Sequence, residues 1–523
     1  MLTPTGITIK ELKAKGRKVV RKAGKQILLI ASGDRVFAIA NRCPHEGYPL
    51  SEGTEGPNCV LTCNWHNWKF DLTTGEALVG RDPVRTYAIE VRGGEIFLDL
   101  TDPPAAALKE RALKGLDTAL ADNDMARMAR EVARLEQAGF NPSTALVHAL
   151  HTRGDRLETG MTHAHAAAAD WLALAERAPS DDTRFTATLE PLAHLAWDTL
   201  GAGKFVYSER VAPWDTRAFL ESIEREDEEE AIARVRGAIA DHIPYRVLRP
   251  VFGQSALSHY ADFGHSAIYT LKAGQLIERL GDDTKEPVLL ALVRQQIKAT
   301  REERLPEFRG YAKALAAWDG KGQKPATASD FIGLTIDGAL KRALASSGRP
   351  ARELYDALLG AAAFNLLHFD ANFDSATANP IADNVSWLDF THALTFANAT
   401  RHICAERPDL WPRALLQMTL FVGRNRGYVG ARQDVADWFV NDRAGFIAAE
   451  MDKLYDHGIF EPIIACHRLK MLFALVDELA VAPDAPWASA MCAAMNRWLN
   501  TPQKRHHGLR IATQARDFVA REG

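Results

Sequence analysis

The chain has 523 residues, 47% of them hydrophobic, and sets 63 Lys and Arg against 67 Asp and Glu for a net charge of −4. That length calls for two or three folding units, and the near-neutral balance gives no electrostatic footprint for nucleic acid. No apolar run reaches the roughly 18 residues of a membrane span and MLTPTGITIKELKAKG lacks a signal-peptide core, so a cytoplasmic protein without membrane or nucleic-acid partners is expected.

Residues 1–105 read as β-structure. KQILLIAS and RVFAIAN are strand-like runs split by Gly33-Asp34, and YAIEV and EIFLDL flank Gly93-Gly94, a two-residue hairpin signal. At Thr101-Asp102-Pro103-Pro104 the composition changes, and Ala, Leu, Arg and Glu then recur with helical spacing, as in MARMAREVARLEQAGF and VLLALVRQQIKATREER. The expected class is multidomain α+β: a small all-β domain over 1–105, a linker over 106–125, and a large all-α domain over 126–523. The basic run between Lys10 and Lys25 reads as a solvated edge or a dock for an acidic redox partner. EREDEEE at 224–230 reads as an exposed helix face.

Six cysteines (Cys43, Cys59, Cys63, Cys404, Cys466 and Cys492) are too few for a disulfide framework in this length, so metal ligation is tested first. Cys43-Pro44-His45 is followed, after 17 residues, by Cys63-Asn64-Trp65-His66. In a C-x-H…C-x-x-H pattern two thiolates can hold one iron of a [2Fe–2S] cluster and two neutral imidazoles the other; a Cys/His zinc site is the alternative. The run CNWHNWKFDLTTG, with Trp68, Phe70, Asp71 and Gly75, resembles the Rieske ferredoxin and oxygenase family over residues 1–105. The resemblance implies Cys43, His45, Cys63 and His66 as ligands of a Rieske cluster. Respiratory-type Rieske proteins carry a further cysteine in each loop; here Glu46-Gly47-Tyr48 and Asn64-Trp65 stand there instead. A potential at the low end of the Rieske range, about −150 mV, is therefore expected, suited to feeding electrons to a catalytic iron. Cys59 is expected to be an ordinary buried thiol.

The iron signature D-x-x-H-x-x-x-x-H of the common Rieske oxygenases is absent: His259 and His265 are six apart, His163 and His165 two. The helical part instead places single histidines in four apolar helical runs: His163 in GMTHAHAAAADWL, His265 in DFGHSAIYTLK, His392 in DFTHALTFANA and His467 in IIACHRLKMLFAL. Each is followed by small or apolar residues at the core-facing positions, and helical bundles build metal sites from such inward residues on facing helices. Asp262 and Asp389, three before their histidines, read either as helix N-caps or as acceptors that orient the imidazoles. His148 and His151 form a possible metal pair or an ordinary helix face. His368 with Asp370 and Asp374 is a further candidate for a dimetal or substrate pocket, His402 is expected to face elsewhere, and His506 and His507 are expected to lie solvent-exposed in a basic tail.

The four histidines, spaced by 102, 127 and 75 residues, give a pattern that is similar to the questin oxidase-like non-heme iron oxygenases over about 130–505. That resemblance implies one iron held by His163, His265, His392 and His467 together with a carboxylated lysine. Lys470, one turn after His467, is the first candidate for the lysine, and Lys272, seven after His265, is the alternative. Desolvation would free such an amine of its proton, although snorkelling to the surface is the ordinary fate of a lysine. The family lacks a Rieske domain, a departure that leaves substrate class and electron source open.

The expected function is thus a Rieske-type non-heme iron oxygenase. Cluster electrons would reach an iron in the helical domain, which activates O2 on an aromatic or cyclic small molecule. No flavin or nucleotide motif is present, so a separate ferredoxin or reductase is the expected donor. The rivals are an electron-transfer protein whose helical part only docks a partner, and a non-redox metal enzyme with the cluster as sensor.

Overall fold

The structure is a computed structural model, and it describes residues 2–377, 379–381, 384–430, 434–502 and 507–522. The chain divides into two compact units between Arg111 and Ala112.

The first unit consists of three antiparallel sheets. Leu2–Thr8, Glu95–Asp99 and Ile89–Arg92 form one, with Glu95–Asp99 central. Arg17–Lys22, Lys25–Ser32 and Arg35–Ala40 form the second. Thr54–Gly56, Val60–Thr62, Lys69–Asp71 and Ala77–Val79 form the third. The expected Gly93-Gly94 hairpin is present, with φ of 57° and 84°. Positive φ at both central residues is the type I′ geometry that matches strand twist. Alternation along Glu95–Asp99 sends Ile96 and Leu98 inward. A second packed cluster, built on Leu28, Ile30, Ile39, Leu61 and Phe70, also encloses Cys43 and Cys63.

Residues 106–125, expected as a linker, are mostly helix. Ala105–Asp122 buries Ala112, Leu116, Ala119 and Leu120, a stripe at helical spacing that belongs to the second unit's core. The acidic run 224–230 is likewise not one helix face. Glu224 ends the helix Thr216–Glu224, Glu226 turns the chain at φ 58°, and Glu228 starts the helix Glu228–Ala240. Glu228 pairs with the buried Arg294 at 2.8 Å.

The second unit is helical throughout. Four of its helices close a ring: His163–Glu176 packs on His265–Leu280, which packs on Trp387–Glu406, then on Pro462–Val481, and so back to His163–Glu176. Among the described residues no helix is long and apolar enough to cross a membrane.

Candidate functional site

In the first unit the two motif halves fold alike. The Cys43 N–H donates to the Tyr48 carbonyl and the Gly47 N–H to the Cys43 carbonyl; the Cys63 N–H donates to the Trp68 carbonyl and the Asn67 N–H to the Cys63 carbonyl. Gly47 and Asn67 occupy equivalent left-handed positions, with φ of 77° and 60°, conformations that Gly and Asn tolerate best. The repeated turn buries both thiols and carries both imidazoles to the rim, where His45 Nδ1 and His66 Nδ1 lie 3.1 Å apart. Burial pushes the Cys43 thiol up to about 11, with the Cys63 thiol adding to it. A cationic or iron-bearing group between the loops would reverse that penalty, since ligation deprotonates a thiol outright. Trp68 stacks on His45 at 4.7 Å and 14°. This donor set, two buried sulfurs beneath two outer nitrogens, fits a cluster that takes two of each. Cys59, expected to be buried, is half-buried in a left-handed turn at φ 59°.

In the second unit the ring of four helices brings the four expected histidines together. His163 and His265 are the first residues of their helices, and His392 and His467 lie in the second turns of theirs. His163 Nε2 is 3.2 Å from His265 Nε2, and His392 Nε2 is 3.3 Å from His467 Nε2. Ring centroids of His265 and His392 are 4.4 Å apart, and those of His163 and His467 4.8 Å.

The outer nitrogens are all engaged. His392 Nδ1 lies 2.7 Å from the Leu388 carbonyl and His467 Nδ1 2.6 Å from the Ile463 carbonyl. His265 Nδ1 contacts the Asp262 carbonyl. Carbonyls only accept, so these three rings carry their hydrogen on Nδ1 and turn bare Nε2 lone pairs inward. His163 Nδ1 meets the Tyr269 hydroxyl at 3.1 Å. Burial holds His163, His392 and His467 well below the usual histidine value, with Lys470 adding to the effect on His163 and His467 and His265 to that on His392. Burial also lowers His265, against the opposing charge of Asp262. Three bare Nε2 lone pairs stand beside the His163 ring, whose hydrogen can sit on either nitrogen because the Tyr269 hydroxyl both donates and accepts. His163, His392 and His467 place ring nitrogens within 4.8 Å of one another, and a donor set of this kind fits a metal ion, which takes neutral His nitrogen.

Lys470 is completely buried, and its Nζ finds no hydrogen-bond partner among the described residues. Desolvation lowers its pKa, with Asp170 and Cys466 opposing. Lys272 is different: its Nζ reaches Asp170 Oδ1 at 2.7 Å and Gln275 Oε1 at 3.1 Å. Of the two lysines, Lys272 is thus held in an ion pair while Lys470 has no partner among the described residues.

The roles expected for the two aspartates change. Asp262 orients His265 through its backbone carbonyl, reached by three successive left-handed residues, Asp262, Phe263 and Gly264, at φ 49°, 51° and 82°. Neither aspartate is the N-cap: Gly264 caps one helix and Ser386 the other, with Asp389 as the third-position acid that accepts from the Ser386 N–H at 2.9 Å. His148 pairs with Asp117 and His151 with the Asp283 carbonyl, so they are not a metal pair. His368 packs on Phe364 at 4.2 Å, and His402 Nε2 pairs with Asp477 at 2.6 Å. His506 lies outside the described residues.

Sequence reasoning passed over Tyr269 and Asp170. Tyr269 is four after His265 and so on its face; Asp170 is a lone acid inside HAHAAAADWLALAE, seven after His163 as Lys272 is seven after His265. Equal offsets on neighbouring helices put this ion pair about two turns from the histidines.

A family profile described as the Rieske [2Fe-2S] domain matches residues 7–88. The 3-phenylpropionate/cinnamic acid dioxygenase ferredoxin subunit of Escherichia coli (strain K12) is 38% identical over 78 residues, 14% of this chain and 74% of that protein. A 4beta-methylsterol monooxygenase of Methylococcus capsulatus (strain Bath) is 38% identical over 109 residues, 18% of this chain and only 29% of that protein. The solved ferredoxin of carbazole 1,9a-dioxygenase from Nocardioides aromaticivorans IC177 aligns over 99% of its length with 19% of this chain, at 29% identity and a TM-score of 0.18. The first unit is an iron–sulfur electron-transfer domain. Through it the chain belongs to the Rieske [2Fe-2S] domain family.

Proposed function

We propose that this chain is a Rieske-coupled non-heme iron oxygenase acting on an aromatic or cyclic organic molecule. Cys43, His45, Cys63 and His66 would hold the [2Fe–2S] cluster, and His163, His265, His392 and His467 would hold one iron in the helical unit. The observation that carries this reading is the meeting of four imidazoles from four helices, with His163, His392 and His467 placing ring nitrogens within 4.8 Å of one another and His265 Nε2 3.2 Å from His163 Nε2, three of the rings being fixed from behind by backbone carbonyls. An ordinary core histidine satisfies both nitrogens; these leave one each for a common centre.

Lys470 would supply the anion that four neutral ligands lack. Its unpaired amine can attack CO2, forming an N–C bond and releasing a proton, and the carbamate oxygen would then join the ligand set. All four helices present their N-terminal turns to the site, and that end of a helix favours negative charge. When bound, the iron supplies one-electron chemistry with dioxygen that no side chain here can perform. The protein's part is to fix the imidazole tautomers, to keep the rings neutral by burial and to exclude bulk water. Electrons would reach the cluster from a separate ferredoxin or reductase. A ferredoxin subunit of a dioxygenase and a monooxygenase among the relatives support a place in oxygenase chemistry.

Iron quantitation with EPR tests the assignment. Wild type should hold three irons per chain. His392→Ala should hold two with an unchanged Rieske signal, and Cys43→Ser with Cys63→Ser should hold one with no signal. Two irons in wild type, with turnover unaffected by His392→Ala, would refute the catalytic iron.

A further inference from the structure

Two cavities in the helical unit share one wall. The smaller, about 160 Å³, is lined by Tyr260, Phe263, Phe421, Leu388 and Asp389, reaches His265 and His392, and includes Arg424. The larger, about 770 Å³, also has Arg424 in its lining. An apolar cavity of about 150 Å³ accommodates a benzene ring, and ligand sites of about 300–1,000 Å³ are ordinary. The small chamber is therefore ring-sized and the large one substrate-sized.

Their linings differ in kind. The small chamber sets Tyr260, Phe263, Phe421 and Leu388 beside His265, His392 and the Asp389–Arg424 pair, and the buried Tyr260 hydroxyl has no hydrogen-bond partner among the described residues. Ligand pockets are built in this manner, apolar with a few unspent polar groups. The large cavity is lined by Arg309, Lys313, Lys341 and Arg426, none of which makes a side-chain ion pair among the described residues. Only Glu307 and Asp337 oppose them. Glu307 is already engaged, 3.6 Å from Arg424 Nε, while Arg424 Nη1 reaches Asp389 Oδ1 at 3.2 Å. The Arg424 guanidinium also lies 5.1 Å from the Phe263 ring and 5.9 Å from that of Tyr428. Arg424 is thus a held cation common to both linings.

We propose that the large cavity is the substrate vestibule and that it selects cyclic molecules carrying a carboxylate. The anion sits among Arg309, Lys313 and Arg426 while the ring passes Arg424 into the chamber at His265 and His392. This rests on the proposed iron site for its orientation but on the cavity charges for its selectivity. Guanidinium groups bind carboxylate in a two-pronged fit that a neutral amide of the same shape cannot replace.

Calorimetric titration of the purified full-length protein with 2-naphthoate and the isosteric, neutral 2-naphthamide tests it. The carboxylate should bind about tenfold or more tightly than the amide, the advantage of a hydrogen bond to a charged group. Lys313→Gln with Arg426→Gln should erase that advantage while leaving amide binding unchanged. Arg309→Gln, the third group at the anion, with Lys341→Gln should reduce it independently. All four side chains are exposed, so these variants leave the core intact. Equal affinity for the two probes, no binding of either, or an advantage that survives both double variants would overturn the proposal. Iron is counted in the same preparations. Selective naphthoate binding with two irons per chain would sink the iron site and keep the vestibule; three irons without selectivity would do the reverse.

Discussion

Replacing Lys470 by methionine separates a residue kept for structure from one kept for a ligand. The side chain is 0% exposed and its Nζ has no partner among the described residues. A buried polar group left unsatisfied costs about 1–3 kcal/mol, and methionine fills nearly the same volume without that group. Chelator-treated Lys470→Met should therefore be more stable than chelator-treated wild type. The helical unit, running from Ala112 to Gly523, has an unfolding entropy of about 0.9 kcal/mol/K at about 2.1 cal/mol/K per residue. The gain should then appear as a rise of about 1–3 °C in its melting temperature. With iron the order should reverse, because the variant forfeits the stabilisation that comes from binding only the folded state. Scanning calorimetry with and without chelator, with iron counted in each sample, reads both signs. A metal-free variant that melts several degrees below wild type, or a variant that retains full iron, would refute the reasoning.

Burial pushes Asp198 up to about 6, although hydrogen bonds from Thr162 and Ala164 pull the other way. A carboxyl raised in the folded state binds more protons there than when unfolded. Stability should therefore fall as pH rises from about 4 to about 6, by up to about 3 kcal/mol, and Asp198→Asn should flatten that slope in denaturant titrations across the range. Gly80 has φ 111°, and a Cβ there would stand 2.4 Å from Trp68 Cδ2. Gly80→Ala should push Trp68 off His45 and raise the cluster potential, since added water favours the more negative reduced form. An unchanged potential in voltammetry would count against the stacking role. A Cβ on Gly264 would stand 2.6 Å from Phe396 Cδ2 in a left-handed residue at φ 82°. Gly264→Ala should cost about 2–4 kcal/mol and loosen His265, read as lost stability together with lost iron; full retention of both would remove the strained turn from the site.

The N-terminal unit was legible because its information is local. Strand alternation, the Gly93-Gly94 turn and the short-range C-x-H and C-x-x-H spacings each act over a few residues. The four histidines were legible as inward residues of separate helices, but their meeting was not, because helix pairing is set by tertiary packing that spacing of 102, 127 and 75 residues does not encode. The same limit explains Lys470 and Lys272. Both follow a histidine on its own helix face, and only Asp170, contributed by another helix, distinguishes them. The expected linker failed for a simpler reason: proline and composition marked the break near 101–104, yet the helical stripe of Ala112, Leu116, Ala119 and Leu120 begins soon after it.

The arrangement around the histidines also weighs against a helical unit that serves only to dock a partner. Four clustered imidazoles, two of them buried and two half-buried, a buried amine without a partner among the described residues and a run of three left-handed residues each cost stability. They are also mutually consistent. The left-handed run aims a carbonyl at His265, the carbonyls fix three of the tautomers, and Asp170 pairs with Lys272 and leaves Lys470 without a partner among the described residues. A docking surface needs none of these, since its chemistry lies on the outside of the bundle. Costs concentrated at the centre of the helix ring, where a shared metal ion would offset them together, are what a ligand site requires and what a scaffold would have lost to ordinary apolar packing.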